Sequence, residues 1–163
     1  MKFTTLQNDT VKLVLLENKY AQEILINNQG NVRDYFIPFS NIEEVNEWIQ
    51  STNTKIESND KLETVVLSQS DEFLGMVAFD SLNEEIAEIK LWLKPVAQGK
   101  GIGKQSTTLL LNWFKSQHPD KQVKYIAEVA NIPSVNLAKK LGFKLHKRFI
   151  DEDGTDSVEY LLH

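Results

Sequence analysis

Residues 91–103 have the sequence LWLKPVAQGKGIG, in which the end of an apolar strand runs into a glycine loop and then into a long amphipathic helix. Closely spaced glycines let the backbone turn sharply and approach a ligand without side chains in between. The first turn of the following helix offers N–H groups without intrahelical partners and the positive end of the helix dipole. This stretch therefore predicts an anion site, and phosphate is an anion that such helix starts bind.

The glycine spacing does not match the two common nucleotide-binding patterns. A P-loop requires Ser or Thr after its Gly-Lys pair and a glycine five residues before its last glycine, but Gln105 and Gln98 occupy these positions. The dinucleotide pattern Gly-x-Gly-x-x-Gly begins at Gly99 and Gly101 and then fails at Lys104. A nucleotide-phosphate binder is therefore the weaker alternative.

The spacing that does fit is Gln-x-x-Gly-x-Gly, formed by Gln98, Gly101 and Gly103 after a strand of the form Leu-x-Leu-x-Pro. A second segment at residues 131–143, NIPSVNLAKKLGF, follows at a matching separation. Together the two segments resemble the acyl-CoA-binding motifs of the GNAT superfamily of N-acetyltransferases. In character the chain is closest to the branch that acetylates ribosomal-protein N-termini. The motif-bearing part is roughly residues 85–144, and the N-terminal half resembles the family only in the layout of its elements.

The resemblance implies an α/β (α+β) fold with a mixed, mostly antiparallel central sheet of six to seven strands. Helices are expected on both faces, with the two central strands splayed apart and a single domain over residues 1–163. It also implies acetyl-CoA as co-substrate and transfer of the acetyl group to a primary amine. The predicted cofactor-binding residues are Trp92, Leu93, Gln98, Gly99, Lys100, Gly101, Ile102, Gly103, Lys104, Asn131 and Ser134.

Several of these positions have a second interpretation. In the family, backbone N–H groups around Trp92 and Leu93 donate to the thioester carbonyl, so their side chains need not take part. Lys100 and Lys104 flank the glycines and either meet phosphate oxygens or remain solvated.

The second segment is equally open to two roles. Asn131 corresponds to the family's cofactor-contacting asparagine, and Ser134 is a second candidate. Pro133 is typical of a first helical turn, so Asn131 or Ile132 would also precede the helix as its cap. Both roles can hold together.

Glu88 is the candidate catalytic residue. In the predicted strand 86–94, period two separates Ala87, Ile89, Leu91 and Leu93 from Glu88, Lys90 and Trp92. Glu88 is similar in position to the general-base glutamate of several family members. An acceptor amine is mostly protonated at neutral pH, and a carboxylate in the cleft can remove that proton. The alternative is that Glu88 pairs with Lys90 or faces solvent.

One departure from the family concerns the leaving thiolate. Many members place a tyrosine, which can protonate that thiolate, five residues before the phenylalanine of Leu-Gly-Phe, but this chain has Ala138 there. Water, Tyr125 or Ser134 are possible substitutes. The missing tyrosine leaves open the alternative of a non-catalytic acyl-CoA-binding sensor or scaffold module.

Hydrophobic periodicity places the remaining elements. Strands are predicted at residues 11–17, 62–69, 72–82, 123–130, 143–150 and 157–162, and a first helix at residues 19–27. A capping box at Ser40 and Glu43 predicts a second helix, in which Trp48 lies on the apolar stripe and is assigned to the core. The helix after the glycine loop stops at residues 118–120, and its Trp113 is also assigned to the core. The aromatic, mixed-charge stretch at residues 33–39 either caps the core or shapes an acceptor pocket.

Composition restricts partners and chemistry. The 163 residues carry a net charge of −5, which argues against nucleic acid and acidic membranes as general partners. The chain has no cysteine, hence no thiolate nucleophile and no Cys-based zinc site, so direct acetyl transfer is expected. We expect a cytoplasmic protein whose partner is a small-molecule amine or a peptide N-terminus. Monomer and homodimer are not distinguished.

No metal is predicted. The acidic run at residues 151–156, DEDGTD, lacks the distal glutamate of an EF-hand, and its Asp-Gly pair is a hairpin-turn signal. His118, His146 and His163 are isolated in the sequence, so they give a zinc site or a Ser/His/Asp triad no local support.

Overall fold

The computed structural model describes residues 3–28 and 39–163. In these ranges the strands are β1 (Leu6–Gln7), β2 (Val11–Leu15), β3 (Leu62–Ser68), β4 (Phe73–Asp80), β5 (Ile86–Leu93), β6 (Gln122–Glu128), β7 (Lys144–Ile150) and β8 (Asp156–Leu162). The α-helices are α1 (Ala21–Asn27), α2 (Ile42–Glu57), α3 (Ile102–Gln117) and α4 (Ile132–Lys140). Every strand and helix predicted from periodicity is present.

The strands form one sheet in the order β1-β2-β3-β4-β5-β6-β8-β7. Among the strands of residues 3–28 and 39–163, only β5 and β6 pair in parallel. The mixed, mostly antiparallel sheet is therefore confirmed. The described residues form eight strands rather than six to seven, because β1 adds a two-residue strand beside β2. Two residues carry too little alternation to be predicted as a strand.

The sheet carries an apolar cluster on each face. Val66 and Val77 belong to a cluster that includes Leu110 of α3 and Ala138 of α4. The adjacent residues Val65 and Met76 belong to a second cluster, which includes buried side chains of α1 and α2. Because successive strand residues point to opposite faces, α3 and α4 cover one face of the sheet while α1 and α2 pack on the other.

The two central strands separate beyond the first part of β5. Ile86–Glu88 of β5 pairs with Gln122–Lys124 of β6, and the ladder stops there. Farther along, β5 remains paired with β4 up to Leu93, while β6 remains paired with β8 up to Glu128. The predicted splay is therefore present, and it leaves a gap between the second halves of β5 and β6.

Gly75 of β4 sets how closely β5 can approach beside this gap. A Cβ atom on Gly75 would lie 2.2 Å from the carbonyl oxygen of Trp92 and 2.7 Å from Cα of Leu93. Its φ angle of +151° is also one that L residues rarely adopt. Only glycine therefore permits the observed packing of β4 against the Trp92–Leu93 backbone.

The helix cap of α2 differs from the predicted one by one residue. Asn41, not Ser40, is the N-cap, and its side-chain oxygen accepts a hydrogen bond from the backbone N–H of Glu44 at 2.9 Å. The Glu44 carboxylate in turn accepts the N–H of Ser40 at 2.8 Å. Ser40 and Asn41 are both good caps with a glutamate three positions later, so local sequence did not separate them.

The assignment of Trp48 and Trp113 to the core is only partly correct. Both are partly buried and pack at the edges of the two clusters. Trp48 contacts Phe39 with ring centroids 5.6 Å apart, and Trp113 contacts Phe3 at 5.1 Å. Of the predicted aromatic stretch at residues 33–39, only Phe39 lies within the described residues.

Among the described residues, no helix combines the length and the apolar character that crossing a bilayer requires.

Candidate functional site

The glycine loop between β5 and α3 has the backbone shape that an anion cradle needs. Gly99 has a φ angle of +72° and Gly101 one of +79°, both in the left-handed region that favours glycine. A Cβ atom on either would meet nothing within 4 Å. The loop therefore presents bare backbone to open space.

Helix α3 starts directly from this loop. Gly101 is its N-cap residue, and the first helical hydrogen bond runs from the N–H of Gln105 to the carbonyl of Gly101. The N–H groups of the intervening residues therefore have no acceptor inside the helix. At Gly103 a Cβ atom would lie 3.1 Å from a methyl carbon of Leu91, so glycine lets the helix start close against β5.

Two side chains hold the loop in place. The Gln98 side-chain amide donates a hydrogen bond to the carbonyl of Leu93 at 2.9 Å. The Lys94 ammonium, which is largely buried, pairs with Glu72 in the turn before β4 at 2.5 Å. In this structure the conspicuous glutamine of the motif therefore ties the loop back to the end of β5.

We call the cavity beside this loop the loop lobe. Its volume is about 430 Å³. All predicted cofactor-binding residues line it except Lys100 and Ile102. Of the described residues that line it, the charged ones are Lys104 and Lys140, so the lobe suits an anion.

A second cavity, which we call the charged lobe, has a volume of about 600 Å³. Its lining combines aromatic and apolar side chains, among them Trp48, Trp92 and Met76, with a network of charged groups. The charged residues of the lining are Lys61, Glu63, Asp80, Glu88, Lys90, Glu128 and Asp151. Except for Glu88, sequence analysis had assigned none of these acids to a site.

Glu88 lies on the wall of the charged lobe, with 17% of its side chain exposed. Its carboxylate is 3.5 Å from the Lys90 ammonium and 3.6 Å from that of Lys124. The pairing with Lys90, which the sequence left as an alternative, is therefore present, and Glu88 also faces the cavity. The strand alternation that put Trp92 on the opposite face from Ile89 and Leu93 is confirmed, because those two belong to the cluster under α3 and α4 while Trp92 packs against the other cluster.

Glu63 is the most buried carboxylate of the network. It is 4% exposed and lies 3.0 Å from the Lys61 ammonium. Burial raises the pKa of Glu63 above 4.5, even though Lys61 acts in the opposite direction. One signal could have identified it, since a single carboxylate interrupts the otherwise uncharged strand LETVVLS.

The two lobes meet at residues on both sides of the gap between β5 and β6. Both lobes are lined by Leu91, Trp92, Tyr125, Asn131 and Ser134. The cavities therefore form one continuous cleft, which passes through the place where the two strands separate.

The junction holds the two hydroxyl groups that sequence analysis had named. The Tyr125 and Ser134 hydroxyl oxygens are 2.9 Å apart. Burial raises the pKa of Tyr125 above 10.0, so the phenol keeps its proton at neutral pH. Asn131 caps α4 by accepting the N–H of Ser134 at 3.2 Å, which is the capping role predicted for it. Ala138 is completely buried in the core.

Among the described residues, no group of three or more His, Asp or Glu side chains is arranged to hold a metal ion.

Comparison with known proteins gave one family and many structures of the same fold. The family model described as Acetyltransferase (GNAT) domain matches residues 11–144. An acetyl transferase from Salmonella typhimurium that modifies the N-terminal serine of the 50S ribosomal subunit protein L7/L12 is 18% identical. Its TM-score is 0.81, over 98% of this chain and 98% of that chain. No curated protein matches the chain.

Two further structures are similar over nearly the whole chain. The microcin C7 self-immunity acetyltransferase MccE, in complex with acetyl-CoA and AMP, is 21% identical with a TM-score of 0.82, over 95% of this chain and 93% of that chain. A spermidine N-acetyltransferase SpeG chimera from Vibrio cholerae and hSSAT is 19% identical with a TM-score of 0.80, over 93% of this chain and 94% of that chain. At these sequence identities, the similarity establishes that the structures share a fold.

The buried carboxylate of Glu63 generates a pH-dependent prediction. Because its pKa is raised in the folded protein, the folded state holds this proton more tightly than the unfolded chain. That contribution to stability is complete below the ordinary value of 4.5 and is lost as the pH rises through the folded-state pKa. We expect Glu63→Gln, which cannot ionise, to gain stability relative to the wild type as the pH rises above 4.5. Thermal unfolding across a pH series measures this difference.

The matched control is Glu152→Gln, which neutralises an exposed carboxylate in the turn between β7 and β8. Its stability relative to the wild type should change little over the same pH series. A Glu63→Gln difference that stays constant with pH would contradict the raised pKa.

Proposed function

Because the chain belongs to the GNAT family of acetyltransferases, we propose that it moves the acetyl group of acetyl-CoA directly to a primary amine, either a peptide N-terminus or a small-molecule amine. The observation that carries this proposal is the continuous cleft, in which a cationic lobe and a carboxylate-rich lobe meet between β5 and β6. The chain has no cysteine, so no thiol can hold the acetyl group between donor and acceptor.

The loop lobe fits acetyl-CoA. Gly99 and Gly101 expose backbone where a side chain would otherwise project, and the start of α3 adds free N–H groups and the positive dipole end. Lys104 and Lys140 supply positive charge for the phosphates. When bound, the co-substrate supplies an activated acetyl group as a thioester. The gap between β5 and β6 gives the pantetheine arm of acetyl-CoA a path from the loop lobe to the junction.

The edge of β5 that faces the gap beside the junction suits the thioester carbonyl. After Glu88, β5 has no partner on the β6 side, so the backbone groups that point into the gap are not used by a strand. Backbone N–H groups near Trp92 and Leu93 are held there by the close packing of β5 on Gly75. Donors fixed in this way stabilise an oxyanion without reorganisation.

We assign the role of general base to Glu88. Its carboxylate faces the charged lobe from the same face of β5 as Trp92, and the ammonium groups of Lys90 and Lys124 lie 3.5 Å and 3.6 Å from it. An acceptor amine must lose a proton before it can attack, and Glu88 can accept that proton directly or through one water.

The leaving thiolate forms at the junction, where the structure places the hydroxyl groups of Tyr125 and Ser134. Their contact at 2.9 Å links a phenol that retains its proton to a serine hydroxyl lining both lobes. Ala138 cannot substitute for the family tyrosine, so this pair supports thiolate protonation from another element, β6 together with the first turn of α4.

The charged lobe fits the amine. Its carboxylates attract an ammonium group, and Trp48 and Trp92 offer aromatic faces to a cation or to an apolar neighbour. The similar structures include one enzyme that modifies an N-terminal serine and one that acetylates spermidine. Both kinds of acceptor therefore belong in the first test.

The function is tested by measuring the free thiol of CoA that is released from acetyl-CoA. The candidate acceptors are short peptides with free N-termini, polyamines and amino acids. We expect turnover with one of these classes and none with the N-acetylated form of the same compound. The assay has no thiol background, because the protein has no cysteine. Binding of acetyl-CoA without turnover of any primary amine would contradict the proposed reaction.

Gly101→Ala should weaken acetyl-CoA binding at least about tenfold, because the methyl group would project into the cradle and strain the left-handed backbone. Isothermal calorimetry with CoA measures the change. Gly142→Ala is the matched control, since Gly142 has a φ angle of +88°, open space at its Cβ position and no place in either lobe. Equal affinity losses in the two variants would show that backbone strain, not the cradle, is responsible.

Glu88→Gln should lower kcat by about 100-fold at neutral pH and leave CoA affinity unchanged, because the amide cannot accept the proton. Steady-state kinetics and calorimetry separate the two effects. Glu85→Gln changes an exposed carboxylate just before β5 and should leave both quantities as in the wild type. Unchanged turnover in Glu88→Gln would remove Glu88 from the base role.

A further inference from the structure

Four charged residues form one row across the sheet, and all of them except Lys124 line the charged lobe. Asp80 of β4 lies directly opposite Glu88 of β5, and Glu88 lies directly opposite Lys124 of β6. The Lys61 ammonium completes the row at 3.1 Å from the Asp80 carboxylate. The order across the sheet is therefore cation, anion, anion, cation, with two carboxylates as immediate neighbours.

Like charges directly opposite one another on adjacent strands are destabilising. Lys90, two residues after Glu88 on the same face of β5, lies between the two carboxylates. Its ammonium is 2.7 Å from Asp80 and 3.5 Å from Glu88. The shared cation therefore lies closer to Asp80, and Glu88 has contacts of 3.5 Å to Lys90 and 3.6 Å to Lys124.

The titration behaviour of the neighbours agrees with this geometry. Burial alone would raise the pKa of Asp80, but Lys90 and Lys61 outweigh it and hold that pKa below 3.8. Burial likewise opposes the charge on Lys90, yet Glu88 and Asp80 raise its pKa above 10.5. The described charged groups that face Glu88 are Asp80 on β4, Lys90 on β5 and Lys124 on β6, and behind Asp80 lie Lys61, just before β3, and Glu63 of β3.

We propose that Asp80 and Lys90 are positioning residues that set the basicity of Glu88. Asp80 draws Lys90 away from Glu88, which keeps the Glu88 carboxylate from being captured in a tight ion pair. Lys90 in turn lies between Glu88 and the neighbouring Asp80 carboxylate and screens one from the other. This inference rests on the proposed function, because it concerns the base of the proposed reaction.

Substitutions of Asp80 and Lys90 should shift the pH profile of kcat/KM in opposite directions. In Asp80→Asn, Lys90 is released to Glu88 at close range, which favours the ionised form and weakens the base. The acidic limb of kcat/KM should move to lower pH by about one unit, and the plateau should fall. In Lys90→Met, Asp80 faces Glu88 without a bridging cation, so the acidic limb should move to higher pH by about one unit. The double variant should return towards the wild-type limb, because both perturbations are removed together.

The experiment measures kcat/KM against pH for the wild type, Asp80→Asn, Lys90→Met and the double variant. The same acceptor amine is used throughout, so that its own ionisation affects every profile equally. Lys90→Arg keeps the bridging cation and should restore the wild-type limb. Thermal unfolding of each variant identifies any that fails to fold. A loss of packing alone would lower the rate at every pH without moving the limb.

Limb shifts of the same sign in the two single variants, or no shift in either, would overturn the inference. Glu88→Gln in the same series distinguishes a failure of the proposed function. If that variant keeps full turnover, the base assignment fails; if it loses turnover while the limbs do not move, only the roles of Asp80 and Lys90 fail.

Discussion

The separation of β5 from β6 after Glu88 is the constraint on which the rest of the site depends. A continuous ladder would use the backbone groups of both strands and close the sheet between the two lobes. Because the parallel pairing ends at Glu88 and Lys124, both strands retain partners on their outer sides only. The resulting gap joins the loop lobe to the charged lobe while the sheet remains intact on both sides.

The two ends of the cleft use different sources of charge. At the loop lobe, positive potential comes mainly from backbone, through the start of α3 and two glycines with positive φ angles, with two lysines beside them. At the charged lobe, the charge comes from side chains on adjacent strands, and carboxylates there pair with lysine ammonium groups. A fixed dipole suits a bound polyanion, and a balanced side-chain network suits a group that must gain and lose a proton.

Local signals predicted most of the scaffold and one end of the site. Period two located β5 and the face of Glu88, and the glycine spacing located the loop, because both features depend on residues close in sequence. The N-cap of α2 was predicted one residue too early, because Ser40 and Asn41 both satisfy the capping-box pattern. Trp48 was assigned to the core because periodicity gives the direction of a side chain and not what lies opposite it.

By itself the sequence determined the order of the elements, the glycine loop before α3, the absence of a thiol nucleophile and the replacement of the family tyrosine by Ala138. These follow from residue identity and short spacings. Only the tertiary structure decided that Asp80 neighbours Glu88, that Lys90 bridges them, and that Tyr125 meets Ser134 at the junction of the lobes. The physical reason is strand pairing: register between strands and the point where a ladder ends depend on contacts between distant parts of the chain.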